Sequence, residues 1–167
     1  SVNYFLHAGH LHIDGLKMSK SLKNFTTIRS SLETSTANQI RMLFLLNAWD
    51  KGMNFSNDQF EQAVTLEKRF SDYFQNIKVY LRGQEAGTPK KWTGGSNPLE
   101  LNLWQAYTQV MKNVRKHLQN NIDTNSAINE LLGLVGKVNT YLSQVKDAAQ
   151  GYLLLTISQY IMRILKC

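Results

Sequence analysis

Ser56-Asn-Asp-Gln-Phe-Glu-Gln-Ala-Val-Thr-Leu-Glu-Lys-Arg-Phe-Ser-Asp-Tyr-Phe-Gln-Asn-Ile-Lys-Val-Tyr-Leu81 decides the fold class. Ser56 with Gln59 has the form of a capping box, the hydroxyl facing the third amide and the glutamine reaching back. Phe60, Ala63, Leu66, Phe70, Tyr73, Phe74, Ile77 and Leu81 then step by three and four, so one face of a long helix is apolar. A helix with such a seam must bury it against others. The expected class is therefore mainly α, an antiparallel helical bundle.

Working outward, the same signals recur. Thr36-Ala-Asn-Gln39 is a second capping box, followed by Ile40, Leu43, Phe44 and Leu46. Asn97-Pro98-Leu-Glu100 starts another helix with Pro at its first position, continued by Leu99, Leu103, Ala106, Val110 and Val114. Asp123 caps a fourth, carried by Ile128, Leu131, Val135, Val138, Leu142 and Val145, and Leu154, Ile157, Ile161 and Ile164 define the last. Gly83 to Ser96 holds four glycines and Pro89, with Lys90 and Lys91 beside Trp92, and reads as a flexible loop over about 83–97.

Residues 1 to 25 differ. Val2, Tyr4 and Leu6 alternate with polar or small residues, as in a strand, and Leu11-His-Ile13 leads into a turn at Asp14-Gly15 and a loop. From Thr26 onward the pattern is helical nearly to the end. The first residues contain neither a basic leader nor an initiator Met, so the chain reads as part of a longer protein entered midway.

The 167 residues are 43% hydrophobic and 19% charged, which suits one folded domain of ordinary size and excludes global disorder. Leu153-Leu-Leu-Thr-Ile157, interrupted by Ser158 and Gln159, is too short to cross a bilayer, and no membrane association is expected. The net charge is +7. Lys17, Lys20, Lys23 and Arg29 face the single acid Asp14 in the first 32 residues, and Lys112, Arg115, Lys116 and His117 form a second basic cluster. Such an excess favours polyanions; a merely basic, solvated surface is the alternative. Cys167 is the sole cysteine, so neither an internal disulfide nor a thiolate zinc cluster can form, and a reducing cytoplasm is the expected compartment.

Lys17-Met18-Ser19-Lys20-Ser21 carries the candidate chemistry. Splitting ATP at its α-phosphate releases pyrophosphate, and the catalyst must stabilise charge that grows as the bond breaks. Ammonium groups on flexible stems are suitable point charges for phosphate oxygens. Two of them on a short loop can close over a triphosphate, with Ser19 and Ser21 as small hydroxyl donors and Met18 packing the loop against the body. By composition alone an ordinary solvated lysine–serine loop would also fit.

The string is identical to a signature of class I aminoacyl-tRNA synthetases, where it precedes a helical anticodon-binding region. Its flanks, His7-Ala-Gly-His-Leu-His-Ile-Asp-Gly-Leu-Lys-Met-Ser-Lys-Ser-Leu-Lys-Asn-Phe-Thr-Thr-Ile28, resemble the cysteinyl-tRNA synthetases, particularly the eukaryotic form. Ala37 to Leu45, Phe55 to Arg82, Asn121 to Thr124 and Tyr160 to Leu165 resemble them too; the likeness is strongest before residue 46 and weak across 83 to 98. The resemblance implies a C-terminal portion: residues 1–34 as the end of the catalytic domain, a short strand and loop remnant that carries the Lys17–Ser21 string, and 35–167 as a helical tRNA anticodon-binding domain. It implies formation of cysteinyl-adenylate from cysteine and ATP with Mg2+, then transfer to tRNA(Cys). Lys20 would be the leading catalytic residue, Lys17 would assist, and Lys17, Met18, Ser19, Lys20 and Ser21 together would bind ATP. The family's Zn2+ ligands lie upstream of the part present here, so no metal site is expected in this chain, and the chain alone is expected not to aminoacylate.

His7-Ala-Gly-His10 imitates the other class I signature, but it stands only six residues from the lysine string, so it reads as a strand and its packing. His7, His10 and His12 lack an accompanying carboxylate cluster and do not read as a metal site. Arg41, Lys112, Arg115 and Lys116 are the candidate tRNA contacts, the last three grouped on one helix side. Trp49 and Trp104 read as packing, and Trp92 as a possible stacking residue. Two rival readings remain open on the sequence: another class I enzyme such as the methionyl or arginyl synthetase, and a non-catalytic bundle binding RNA or protein.

Overall fold

The computed structural model describes residues 3–13, 15–19, 21, 23–83, 94, 97–145 and 149–166. Among them the order is β1 (Leu11–Ile13), β2 (Leu16–Lys17), α1 (Ile28–Thr34), α2 (Ala37–Leu45), β3 (Met53–Phe55), α3 (Asn57–Gly83), α4 (Pro98–Gln119), α5 (Thr124–Val145) and α6 (Gly151–Lys166). A small sheet in the order β2-β1-β3 therefore leads into a helical bundle, the mainly α class expected.

The helix starts follow the chemistry of their caps. Thr36 accepts from the Gln39 amide and Gln39 returns to the Thr36 amide. Asn97 accepts from the Leu99 amide ahead of Pro98, and Asp123 accepts from the Ser126 amide. At Ser56 only half of the box forms: the hydroxyl accepts from the Gln59 amide, while the Gln59 side-chain oxygen is buried without a hydrogen bond. Thr27 and Ser30 make a further box that starts α1.

The seams meet in one core. Ala63, Phe70, Tyr73 and Ile77 of α3 join Leu103, Val110 and Val114 of α4, Leu131, Leu134 and Val138 of α5, and Leu153, Leu154, Ile157 and Ile161 of α6. At roughly 1.5–3 kcal/mol for each fully buried large aliphatic side chain, this seam is what holds the helices together. One buried polar pair crosses it, Tyr73 to Ser158 at 2.8 Å. The Ser158 hydroxyl hydrogen goes to the Leu154 carbonyl, so Tyr73 donates and Ser158 accepts.

Three expectations need correction. Residues 3–10 form no strand, and Tyr4, Phe5 and Leu6 are 91%, 75% and 72% exposed. Alternation there has no neighbouring strand to satisfy its backbone. The chain is also not wholly helical after Thr26: Met53–Phe55 returns as β3, parallel to β1, with Leu11 opposite Met53 and Ile13 opposite Phe55. Three residues are too few to show a period of two. Phe44, expected within the apolar side of α2, is half exposed, and Met42 is buried beside Leu43 instead. The β1–β3 pairing links residues on either side of position 34. Of the loop expected over 83–97, only Gly83, Gly94 and Asn97 are described, and Lys90, Lys91 and Trp92 lie outside the described residues.

Burial pushes the Tyr73 phenol up to about 12, and Ser158, able to turn and donate to a phenolate, offsets only part of this. Burial also raises Tyr107, Tyr141 and Tyr160. The folded state therefore keeps these protons above pH ~10, where an unfolded chain releases them. Stability is full below that pH and falls as the pH rises through 10 towards 12. Urea midpoints measured across this range should decline steeply for the native chain and less steeply for Tyr73→Phe, which at neutral pH loses about 1 kcal/mol.

Candidate active site

β1 and β2 pair antiparallel as a hairpin, with Ile13 opposite Leu16 and His12 opposite Lys17. Asp14 itself lies outside the described residues. Gly15 has φ +78°, the left-handed conformation a tight turn requires, and its amide donates to the Asn54 side-chain oxygen at 3.0 Å. The lysine string thus begins on the edge strand of the sheet. Lys17 is exposed there. The Met18 amide donates to the Leu11 carbonyl at 3.0 Å, and its side chain, half-buried as expected, lines a cleft of about 390 Å³ with Leu11, Ile13, Ile40, Phe55 and Phe60.

Beyond Met18 the chain is gathered by Asn24. Its side-chain oxygen accepts from the Ser19 amide at 3.0 Å and its side-chain nitrogen donates to the Lys17 carbonyl at 3.3 Å. The Ser19 and Ser21 hydroxyls face each other at 3.1 Å. Lys23, just before Asn24, adopts φ +53°. Lys20, the leading candidate, lies outside the described residues. Asn24 is the residue that sequence reasoning passed over. Its signal was its type: an amide carries a donor and an acceptor together, and it sits just past the signature.

His7-Ala-Gly-His10, expected as a strand and its packing, is no strand: His7, Ala8 and His10 are exposed and Gly9 is half-buried, and the segment is held through its backbone. The Gly9 amide donates to the Trp49 carbonyl at 2.8 Å, and a Cβ on Gly9 would overlap the Lys51 carbonyl oxygen. The Met53 amide donates to the His10 carbonyl at 3.0 Å, which continues this contact into the sheet. Among the described residues no three His, Cys, Asp or Glu side chains gather to hold a metal.

The candidate RNA contacts fall in two places. Arg41 stands on α2, where its guanidinium donates to the Leu165 carbonyl at the end of α6 at 3.5 Å. It borders a cleft of about 540 Å³ with Glu67, Lys78 and Lys166 above Phe70 and Phe74. Lys112, Arg115 and Lys116 are exposed together on α4, away from buried Val110 and Val114. His117, grouped with them by sequence, is separate: Nδ1 lies 3.9 Å from Asp123 and Nε2 3.7 Å from Glu130. Trp104 packs on Tyr107 at 5.4 Å, and the Trp49 indole donates to the Asn121 carbonyl at 2.8 Å.

The start of the lysine–serine string thus stands on a sheet edge ahead of a helical bundle, and the chain is similar to known proteins over the same stretch. Residues 1–65 match the family "tRNA synthetases class I (C) catalytic domain". A solved leucyl enzyme from Agrobacterium radiobacter K84, in a ternary complex described as LeuRS-tRNA-LeuAMS, superposes with a TM-score of 0.72 over 95% of this chain and 20% of its own; at 19% identity it shows the fold alone. The chain is homologous to cytoplasmic cysteine–tRNA ligases over nearly its whole length. It is 40% identical to that of Dictyostelium discoideum over 98% of the chain and 24% of the relative. It is 39% identical to that of Xenopus laevis and 36% identical to that of Homo sapiens, each over 99% of the chain and 22% of the relative. The chain thus spans under a quarter of the length of these relatives.

Asn24→Ala would release the Ser19 amide and the Lys17 carbonyl at once while touching no core residue. Hydrogen exchange at the Ser19 amide should quicken by about fivefold or more, corresponding to one net hydrogen bond of about 1 kcal/mol or more, with the melting temperature nearly unchanged.

Proposed function

We propose that the protein containing this chain is a cysteine–tRNA ligase. It would join the cysteine carboxylate to the α-phosphorus of ATP with release of pyrophosphate, then pass the cysteinyl group to the terminal ribose of tRNA(Cys) with release of AMP. The observation that carries this reading is the identity of 36–40% to cysteine–tRNA ligases across a stretch that includes the intact Lys17-Met-Ser-Lys-Ser21 string. The cytoplasm is its proposed compartment, after the relatives' names; no helix among the described residues is long and apolar enough to cross a membrane.

In this reading Lys20 places its ammonium on the phosphate oxygens as the bond to pyrophosphate lengthens, and Lys17 assists from the hairpin edge. Met18 anchors the loop in its apolar cleft, Ser19 and Ser21 shape it, and Asn24 holds its two ends. ATP would bring Mg2+ on its phosphates. The described residues offer no donor set for the zinc that the resemblance attaches to the family, and no step is derived through it. Residues 1–34 supply the end of the catalytic domain, and 35–167 the helical tRNA-binding part, with Lys112, Arg115 and Lys116 on the RNA backbone and Arg41 a separate contact.

Two measurements test these assignments. In the full-length enzyme Lys20→Ala should slow pyrophosphate exchange by about 10²-fold or more, the order seen when one charge-stabilising donor is removed, with tRNA affinity changed less than about twofold; exchange at the native rate would remove Lys20 from the role. Replacing Lys112, Arg115 and Lys116 by alanine should weaken tRNA binding and reduce the slope of log affinity against log salt by about 2–3, near one for each phosphate that is no longer neutralised. An unchanged slope would place the RNA elsewhere.

A further inference from the structure

One residue touches both halves of the molecule. Trp49 lies in the connection between α2 and β3. Its indole N–H donates to the Asn121 carbonyl in the α4–α5 turn at 2.8 Å, and its own carbonyl accepts from the Gly9 amide, also at 2.8 Å. The side chain is therefore committed to the bundle and the backbone to the segment leading into β1.

Neighbouring bonds reinforce each end. At the bundle, the Asn121 side chain donates to the Asp50 carboxylate at 2.9 Å and the Thr124 hydroxyl to the Leu45 carbonyl at 2.7 Å. Asn121 and Ile122 both have positive φ, 56° and 51°. Two consecutive non-glycine residues in that region persist only where their surroundings over-determine them, and these bonds do so. At the sheet, Gly9 abuts the Lys51 carbonyl, the Met53 amide holds the His10 carbonyl, and β1 pairs with β2, which carries Lys17. On the far side, Arg115 and Lys116 stand in the last turns of α4, which ends at Gln119, next to the turn that Trp49 holds.

We propose that Trp49, with Asp50 and Asn121, is a positioning latch that fixes the basic face of α4 relative to the lysine loop, so that RNA seated on the one is registered with the chemistry of the other. The inference rests on the functional reading above. Tryptophan suits the task because its single indole donor fixes one direction. Adenylate formation needs the lysine loop but not RNA, so it is insensitive to the latch. Transfer needs both, and misplacement of reacting groups by about an ångström costs up to about 10²-fold.

The test uses Trp49→Phe, which keeps the ring and deletes the N–H, in the full-length enzyme. Transfer of cysteine to tRNA should fall in kcat by about tenfold or more, with the KM for tRNA and the tRNA-independent pyrophosphate exchange each within about twofold of native. An equal fall in exchange and transfer, or none in either, overturns the latch; native enzyme without pyrophosphate exchange would instead overturn the functional reading. A second measurement is independent of activity. In the 167-residue chain, Trp49→Phe and Asp50→Ala should both quicken hydrogen exchange at the Gly9 and Met53 amides. Quickening confined to residues 120–124 would mean that the turn and the sheet are not joined through Trp49, and would overturn the latch.

Discussion

The backbone of Gly9 lies so close to the Lys51 carbonyl that no side chain fits between them, and the arrangement of the two parts depends on that approach. It allows the Gly9 amide to reach the Trp49 carbonyl and the His10 carbonyl to accept the Met53 amide. β3 then falls into register beside β1. A three-stranded sheet of eight residues has no stability of its own at this size. It persists because its third strand is delivered by a segment already braced against the helices, and because Met53 is buried in the helical core.

The helices were legible in sequence because each repeats its apolar residues over several turns, so errors at single positions do not disturb the pattern. Leu134 and Tyr141 of α5 and Leu153 of α6 were outside the seams read from sequence yet are buried, since α5 and α6 are enclosed on more than one side, and Tyr107 of α4 is buried against the Tyr160 ring of α6. The hairpin was legible because Asp-Gly is a strong local turn signal. β3 was not, because its pairing comes from a partner about forty residues earlier and its own three residues carry no period. Tyr4 to Leu6 misled for the opposite reason: their alternation is a local property, and a strand needs a neighbour.

The candidate site divides in the same way. The lysine string was visible as a string, but what holds it was not. Asn24 acts through two bonds to backbone groups, and nothing in the types of Lys17 or Ser19 calls for such a partner. The sequence suggested one basic group at the end of α4, and the fold splits it. His117 is drawn between Asp123 and Glu130, which leaves Lys112, Arg115 and Lys116 as the solvent-facing set. Asp123 is at once the cap of α5 and a neighbour of this histidine, and the bonds it accepts at Ser126 hold its carboxyl below the usual range.

Phosphate recognition and group transfer place different demands on a scaffold. Phosphates are held by long cationic side chains that stay solvated until the ligand arrives, and Lys17, Lys112, Arg115 and Lys116, the residues proposed for that task, are exposed. Transfer between two ligands needs their seats to stay at a fixed separation, and flexible side chains cannot provide it. In the proposed reading the second demand would fall to a line of hydrogen bonds from the lysine loop to the α4 turn: the Met18 amide on Leu11, the Gly9 amide on Trp49 and, as its one side-chain donor, the Trp49 indole on the Asn121 carbonyl. Charge would then be carried on long cationic side chains, while distance would be set by hydrogen bonds that are main-chain except where Trp49 and Asn121 supply the donor.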